Sequence, residues 1–159
     1  MKRGTFLASS GALAAVALGL PAIAAQQKYA VIHSDADWQR ILGPDRYAIL
    51  RQGGTEPAYS SPLLKETRSG IYSCAGCGLA NFSSRTKYDS GEGWPSFWNV
   101  LPNAILKSAD YELVEERTEV HCRRCGSHLG HVFDDGPPPT NLRYCIDGLA
   151  LTFKPGRSA

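Results

Sequence analysis

Apolar residues recur at helical spacing in only one part of the chain. Behind Ser34, which with Asp35 and Asp37 makes a helix start, Trp38, Ile41 and Leu42 fall at i, i+3 and i+4, and Gly43 ends the pattern. Pro44 opens a second short helix in which Tyr47 and Leu50 share a face until Gly53-Gly54. From Thr55 onward the texture changes to short apolar segments broken by Gly, Pro, Ser and Asn. Strands are expected over 70–74, 79–83, 97–100, 111–115, 119–122, 128–133, 143–146 and 149–154. Val120, Val132, Tyr144, Ile146, Leu149, Leu151 and Phe153 are the expected core, with Trp38 as a helical anchor. Many short strands at close spacing predict a mainly β fold of antiparallel sheets with short N-terminal helices, not βαβ units.

The first 24 residues stand apart. Lys2 and Arg3 precede an apolar, alanine-rich run from Phe6 to Leu20, and Ala22-Ile23-Ala24 offers small residues for cleavage. This is the layout of a secretory signal, which leaves a mature domain over 25–159, exported to the bacterial periplasm and off the membrane once cleaved. The paired arginines of a twin-arginine signal are missing, since Lys2 precedes Arg3. Removing Lys2 and Arg3 leaves 15 basic and 15 acidic residues, a balance that argues against nucleic acid as a partner. It also removes Met1, the only methionine, which suits a protein working among oxidants.

The five cysteines divide four to one. Cys74-Ala75-Gly76-Cys77-Gly78 and Cys122-Arg123-Arg124-Cys125-Gly126 are identical CxxCG knuckles, each with a glycine that lets the chain turn behind two thiolates. An exported chain could use these four in disulfides, but disulfides impose no local repeat, whereas four-sulfur ligation of zinc requires one. One structural Zn²⁺ per chain is therefore expected, held by Cys74, Cys77, Cys122 and Cys125 and clamping two separate hairpins. Cys145 is left over. As a lone thiol it is either inert in the core or the seat of the chemistry.

The run Tyr88-Asp89-Ser90-Gly91-Glu92-Gly93-Trp94-Pro95-Ser96-Phe97-Trp98 suits neither a helix nor a regular strand. It reads equally as a turn that packs aromatics into a small core or as an aromatic wall beside a site. His128 and His131 would face opposite sides of a regular strand, so both can serve one site only if Gly130 breaks it.

GWPSFW at 93–98, HLGHVFDDG at 128–136, RYC at 143–145, GTEPAYSSPLL at 54–64 and both knuckles resemble the methionine-R-sulfoxide reductases of the B type, over about residues 34 to 154. The resemblance implies a β-tent-like fold. It also implies that free or protein-bound methionine-R-sulfoxide is reduced by thiolate attack of Cys145, leaving a sulfenic acid. By the same resemblance His128 and His131 bind and protonate the sulfoxide oxygen, Trp94 walls a pocket for the methyl group, Phe133 lines it, and Asp147 completes the catalytic set.

Two positions depart from that family. Many members carry a recycling cysteine where this chain has Glu92, which predicts direct regeneration by an external thiol, either a thioredoxin-like protein or a small thiol, acting on a monomer. Asparagine is common where Asp147 stands. An ionised aspartate offers only acceptors and opposes a nearby thiolate, so Asp147 either keeps a proton or pairs with His131 or Arg143. A zinc-clamped binding module and a thiol redox sensor are the competing classes.

Overall fold

The computed structural model describes residues 29–111 and 116–158. The signal segment and all but Tyr111 of the strand expected at 111–115 lie outside the described residues.

The helical region forms as its pattern predicts. Helix α1 (Asp35–Gln52) begins where Ser34 Oγ accepts the Asp37 N–H at 3.2 Å and closes at Gly53 in the left-handed conformation. It breaks at Gly43 (φ 70°, ψ 172°), so that Pro44 enters as the first residue of a new helical turn. Trp38, Ile49 and Leu50 are buried, whereas Ile41, expected on the inner face, stands 52% exposed. The break at Gly43 limits the first piece to about two turns, with Trp38 as its only buried residue.

Nine strands follow: β1 (Gly70–Cys74), β2 (Ala80–Ser83), β3 (Lys87–Tyr88), β4 (Ser96–Phe97), β5 (Ile105–Asp110), β6 (Arg117–Cys122), β7 (His128–Phe133), β8 (Arg143–Ile146) and β9 (Leu151–Pro155). They form two antiparallel sheets, one ordered β2-β1-β9 and one ordered β3-β4-β8-β7-β6-β5. The mainly β, antiparallel expectation holds, and β1, β7 and β8 occupy their expected spans. Among the described residues, β3 and β5 were not foreseen: β3 is two residues long, and β5 is an edge strand paired only with β6, with half of its residues exposed. The last strand starts at Leu151, because residues 148–150 make a 3₁₀ turn. The strand expected at 97–100 ends at Phe97, where Trp98 N–H turns to the Thr86 carbonyl.

Alternation along the six-stranded sheet separates two faces. One face carries Phe97, Val120, Val132, Tyr144 and Ile146 into the core, where Phe82 stacks on Phe97 at 4.5 Å and Tyr72 meets the same ring edge-on at 5.0 Å. Leu149 and Phe153, expected in the core, pack against it half-buried. The opposite face carries Arg143, Cys145, His131, Phe133, Arg117 and Glu119, and this face holds the chemistry. No helix among the described residues is long and apolar enough to cross a membrane.

Candidate active site and zinc centre

The two knuckles sit at the tips of two hairpins from different sheets, β1–β2 and β6–β7. Their backbones match: Cys74 N–H donates to Leu79 O and Cys122 N–H to Ser127 O, both at 2.8 Å. Gly78 (φ 72°) and Gly126 (φ 69°) take the left-handed turns. The four sulfurs converge within 4.8 Å of one another, with Cys74–Cys125 at 3.7 Å and Cys77–Cys122 at 3.5 Å. A zinc–sulfur bond of about 2.3 Å sets tetrahedral edges of roughly 3.8 Å, and a disulfide needs about 2.05 Å. The spacing fits the metal, and all five cysteines are free thiols. The cluster is a closed structural zinc site, one per chain, that ties the small sheet to the large one.

Cys145 lies elsewhere, in a hollow of 130 Å³ walled by Thr55, Trp94, Arg117, Gly130, His131, Phe133 and Asp147. A groove of 860 Å³ between α1 and β9 is larger, yet it includes neither Cys145 nor a histidine. Ladder register explains how the hollow assembles. Cys145 sits opposite His131 on one side and Ser96 on the other, and side chains opposite each other in an antiparallel pair share a face. His128 reaches that face through a bulge. Val120 pairs with Gly130 and His121 with His128, so Leu129 is an extra residue on β7. The strand therefore stays paired where a break was expected, and Gly130 takes φ 144° to allow it. The two imidazole rings come to 5.4 Å.

Each histidine has its own carboxylate. Glu119 Oε1 lies 2.6 Å from His128 Nδ1, and Asp110 Oδ2 lies 2.7 Å from His131 Nε2. Burial works against an imidazolium at His128, but Asp147 and Glu119 outweigh it and hold the ring up to about 9. For His131 burial prevails over the Asp110 bond, helped by Arg117 and His128, and the ring titrates below the usual range. Burial pushes the Cys145 thiol up to about 11; Arg143 opposes this, and Asp147 and Glu92 add to it. Arg143 is itself locked, bidentate to Asp135 at 2.7 and 2.8 Å and 4.3 Å over the Phe133 ring.

Asp147 pairs with neither His131 nor Arg143. Its Oδ1 accepts the Glu56 N–H at 2.9 Å and its Oδ2 faces His128 Nε2 at 3.7 Å. The other two candidates are already engaged, His131 by Asp110 and Arg143 by Asp135.

Glu56 is the residue that pattern reading passed over. Its buried carboxylate accepts the N–H groups of Gly148 and Leu149, its N–H holds Asp147, and its carbonyl accepts Trp94 Nε1–H at 3.0 Å. One residue thus joins the indole wall to the aspartate. The only local cue was a glutamate between Gly54-Thr55 and Pro57 in a stretch otherwise poor in charge. Asp110, Arg117 and Glu119 were also missed as partners of the histidines. The alternation of Arg117, Glu119 and His121 against Val120 and Cys122 signals a polar strand face but not what that face meets. Trp94 and Phe133, expected beside the thiol, do line the hollow, while Phe97 of the same GWPSFW run packs into the core.

A solitary thiol beside a carboxylate-held imidazole and an indole, on a zinc-clamped β scaffold, is the setting of an oxidoreductase. The SelR domain model matches residues 42–155. The chain is 51% identical over 127 residues to a peptide methionine sulfoxide reductase MsrB of Leptospira interrogans, covering 79% of this chain and 97% of that protein. It is 49% identical over 134 residues to one from Leifsonia xyli, covering 83% and 96%, and 48% identical over 126 residues to one from Methanosarcina barkeri, covering 79% and 89%. The chain belongs to the MsrB family of peptide methionine sulfoxide reductases.

Proposed function

We propose that this protein reduces methionine-R-sulfoxide, free or in oxidised proteins, with Cys145 as nucleophile and an external thiol as reductant. The observation that carries the reading is the placement of Cys145 in one hollow with His131, Trp94, Phe133 and Asp147.

The sulfoxide's methyl group lies against Trp94 and Phe133, and its oxygen is turned toward His128 and His131. A histidine gives a proton to that oxygen as the Cys145 sulfur attacks the sulfoxide sulfur. The S–O bond breaks, the oxygen passes to Cys145, and methionine leaves with its sulfur reduced by two electrons while Cys145 becomes a sulfenic acid. Counting protons, a thiol enters and a sulfenic acid results, so the histidine regains from the thiol the proton it gave. A thiol held near 11 therefore loses its proton during the reaction with substrate, not before it.

Regeneration needs two equivalents of an external thiol. The first attacks the sulfenic sulfur, releasing water and forming a mixed disulfide; the second displaces Cys145 and leaves as the oxidised reductant. Four of the five cysteines belong to the zinc cluster and Glu92 stands exposed in the GEGW turn, so the chain offers no resolving thiol of its own. The layout of residues 1–24 supports an exported, periplasmic place of work; that segment lies outside the described residues.

The test is turnover of separate R and S sulfoxides with dithiothreitol, alongside Cys145→Ser and mass spectrometry after one turnover without reductant. Reduction of the R form alone, loss of turnover in the variant and a mass gain of one oxygen are expected. Turnover of the S form, or an intramolecular bridge to Cys145 with zinc still bound, would overturn the reading.

A further inference from the structure

His128 is a buried ionisable group on the reactive face, and carboxylates stand at both ring nitrogens. Glu119 Oε1 is 2.6 Å from Nδ1 on one side, and Asp147 Oδ2 is 3.7 Å from Nε2 on the other. The first contact is a hydrogen bond. The second is too long for one, and Nε2 is a buried nitrogen without a hydrogen-bond partner. A neutral ring with its proton on Nδ1 would leave an unpaired acceptor at Nε2 facing a carboxylate. An imidazolium instead faces it with an N–H, attractive across the gap and still free to donate.

We propose that Glu119 and Asp147 are positioning residues that together fix His128 as a standing imidazolium beside His131. The proposal rests on the functional reading above and adds a division between the two histidines: His128 supplies a fixed charge, and His131 is the imidazole that exchanges its proton with Cys145.

The surroundings agree. From β6, Glu119 also lies 3.5 Å from His121 Nδ1, and Arg117 is spent on Asp110 of β5 at 2.6 Å. From β7, His131 is taken by the same Asp110, and from α1, Arg51 donates to the Cys125 carbonyl and not to the ring. Arg117, His131 and Arg51 are thus matched elsewhere, and His121 shares Glu119 only at the longer distance. Asp147 cannot swing away, because its other oxygen is held by the Glu56 N–H and it is buried. Burial in a low-dielectric setting makes the pairing strong and leaves the charge in place at neutral pH, consistent with the direction in which the ring titrates.

The test uses the full zinc-loaded enzyme labelled with ¹⁵N at histidine. The His128 ring is titrated from pH 5 to 10 in the parent, in Glu119→Gln and in Asp147→Asn. Both changes keep an acceptor for the bond already made and remove only charge, and they lie on different segments, so either variant that folds decides the matter. The parent ring is expected to stay protonated past pH 8, each variant to titrate at least one pH unit lower, and the alkaline limb of kcat/KM to move down in step. A parent ring neutral at pH 7, midpoints that do not move, or midpoints that move while the limb stays put would each overturn the proposal. Failure of the parent to reduce methionine sulfoxide at all would instead strike the functional reading, since the ring titration decides the charge independently of turnover.

Discussion

Gly130 lies so close beneath Cys145 that a Cβ built on it would stand 2.2 Å from the Cys145 carbonyl oxygen and 2.9 Å from Ile146 Cα. Both obstacles are backbone in the adjoining strand and cannot rotate aside. At φ 144° the position is also one that side-chain-bearing residues rarely adopt. The same residue permits the bulge that brings His128 and His131 to one face. Gly130→Ala is therefore expected to cost about 3 kcal/mol or more and to lower turnover beyond what the loss of folded protein explains. Denaturant titration beside activity per folded molecule measures both. Parental values on both counts would show that the bulge is not what assembles the site.

The state of Cys145 in the free enzyme can be read by alkylation. A thiol pushed up to about 11 by burial is mostly protonated at pH 7, and the thiolate is the species that reacts. With the zinc ligands protected by their metal, the rate of iodoacetamide labelling at Cys145 is expected to rise about tenfold per pH unit from 7 to 10 and to level off near 11. A plateau below pH 8 would mean a standing thiolate, and the proton exchange assigned to His131 would then have no purpose.

Trp94 is held by its Nε1–H bond to the Glu56 carbonyl and forms a wall of the hollow. Trp94→Ala removes that wall without touching a titrating group. The expected result is a fall in kcat/KM of tenfold or more, consistent with loss of about 1.5–3 kcal/mol of apolar contact, with Cys145 alkylation unchanged in its pH dependence. An equal fall in both would point to a collapsed site, not to a lost methyl pocket.

Removing zinc tests the scaffold. The cluster joins hairpin tips from two sheets, so with the four thiols uncoordinated the tips keep only packing and the Arg124 bond to the Cys77 carbonyl at 3.1 Å among their described contacts. Chelation under reducing conditions is expected to lower the melting temperature by more than 10 °C, reversed by one equivalent of Zn²⁺ per chain. Hydrogen exchange should rise first in β1–β2 and at the β6–β7 tip. A protein that melts identically with and without metal would remove the structural role.

Much of this was legible from residue types whose physics is local. The knuckles announce themselves through repeated CxxCG; the break between helical turns follows from Gly43-Pro44, and β7 and β8 from compact apolar alternation. The partners of the histidines were not legible, because they depend on register across three strands. Asp110 sits on an edge strand whose outward Lys107, Ser108 and Ala109 give no apolar alternation to read. Glu119 looks like any polar strand residue until the bulge at Leu129 brings His128 over it. The partner of Asp147 was misjudged for a related reason: sequence neighbours such as Arg143 seemed available, but Arg143 is captured by Asp135 across the 134–142 loop.

The raised titration of His128 also makes a stability prediction with a definite sign. The folded ring is held up to about 9 against an ordinary value of 6.5, so the folded state binds the proton more tightly than the unfolded chain. That contribution is fully present below pH 6.5 and is lost as pH rises through 9. At about 1.4 kcal/mol per unit it amounts to roughly 3 kcal/mol as an upper figure. Other groups also titrate in this window, so the measurement is a difference: denaturant stability at pH 6 minus that at pH 10, compared between the parent and His128→Gln. The parent should lose more stability on going alkaline, by up to that amount. Equal losses in the two proteins would mean that the ring is neutral in the folded state and that Glu119 and Asp147 do not hold a charge between them.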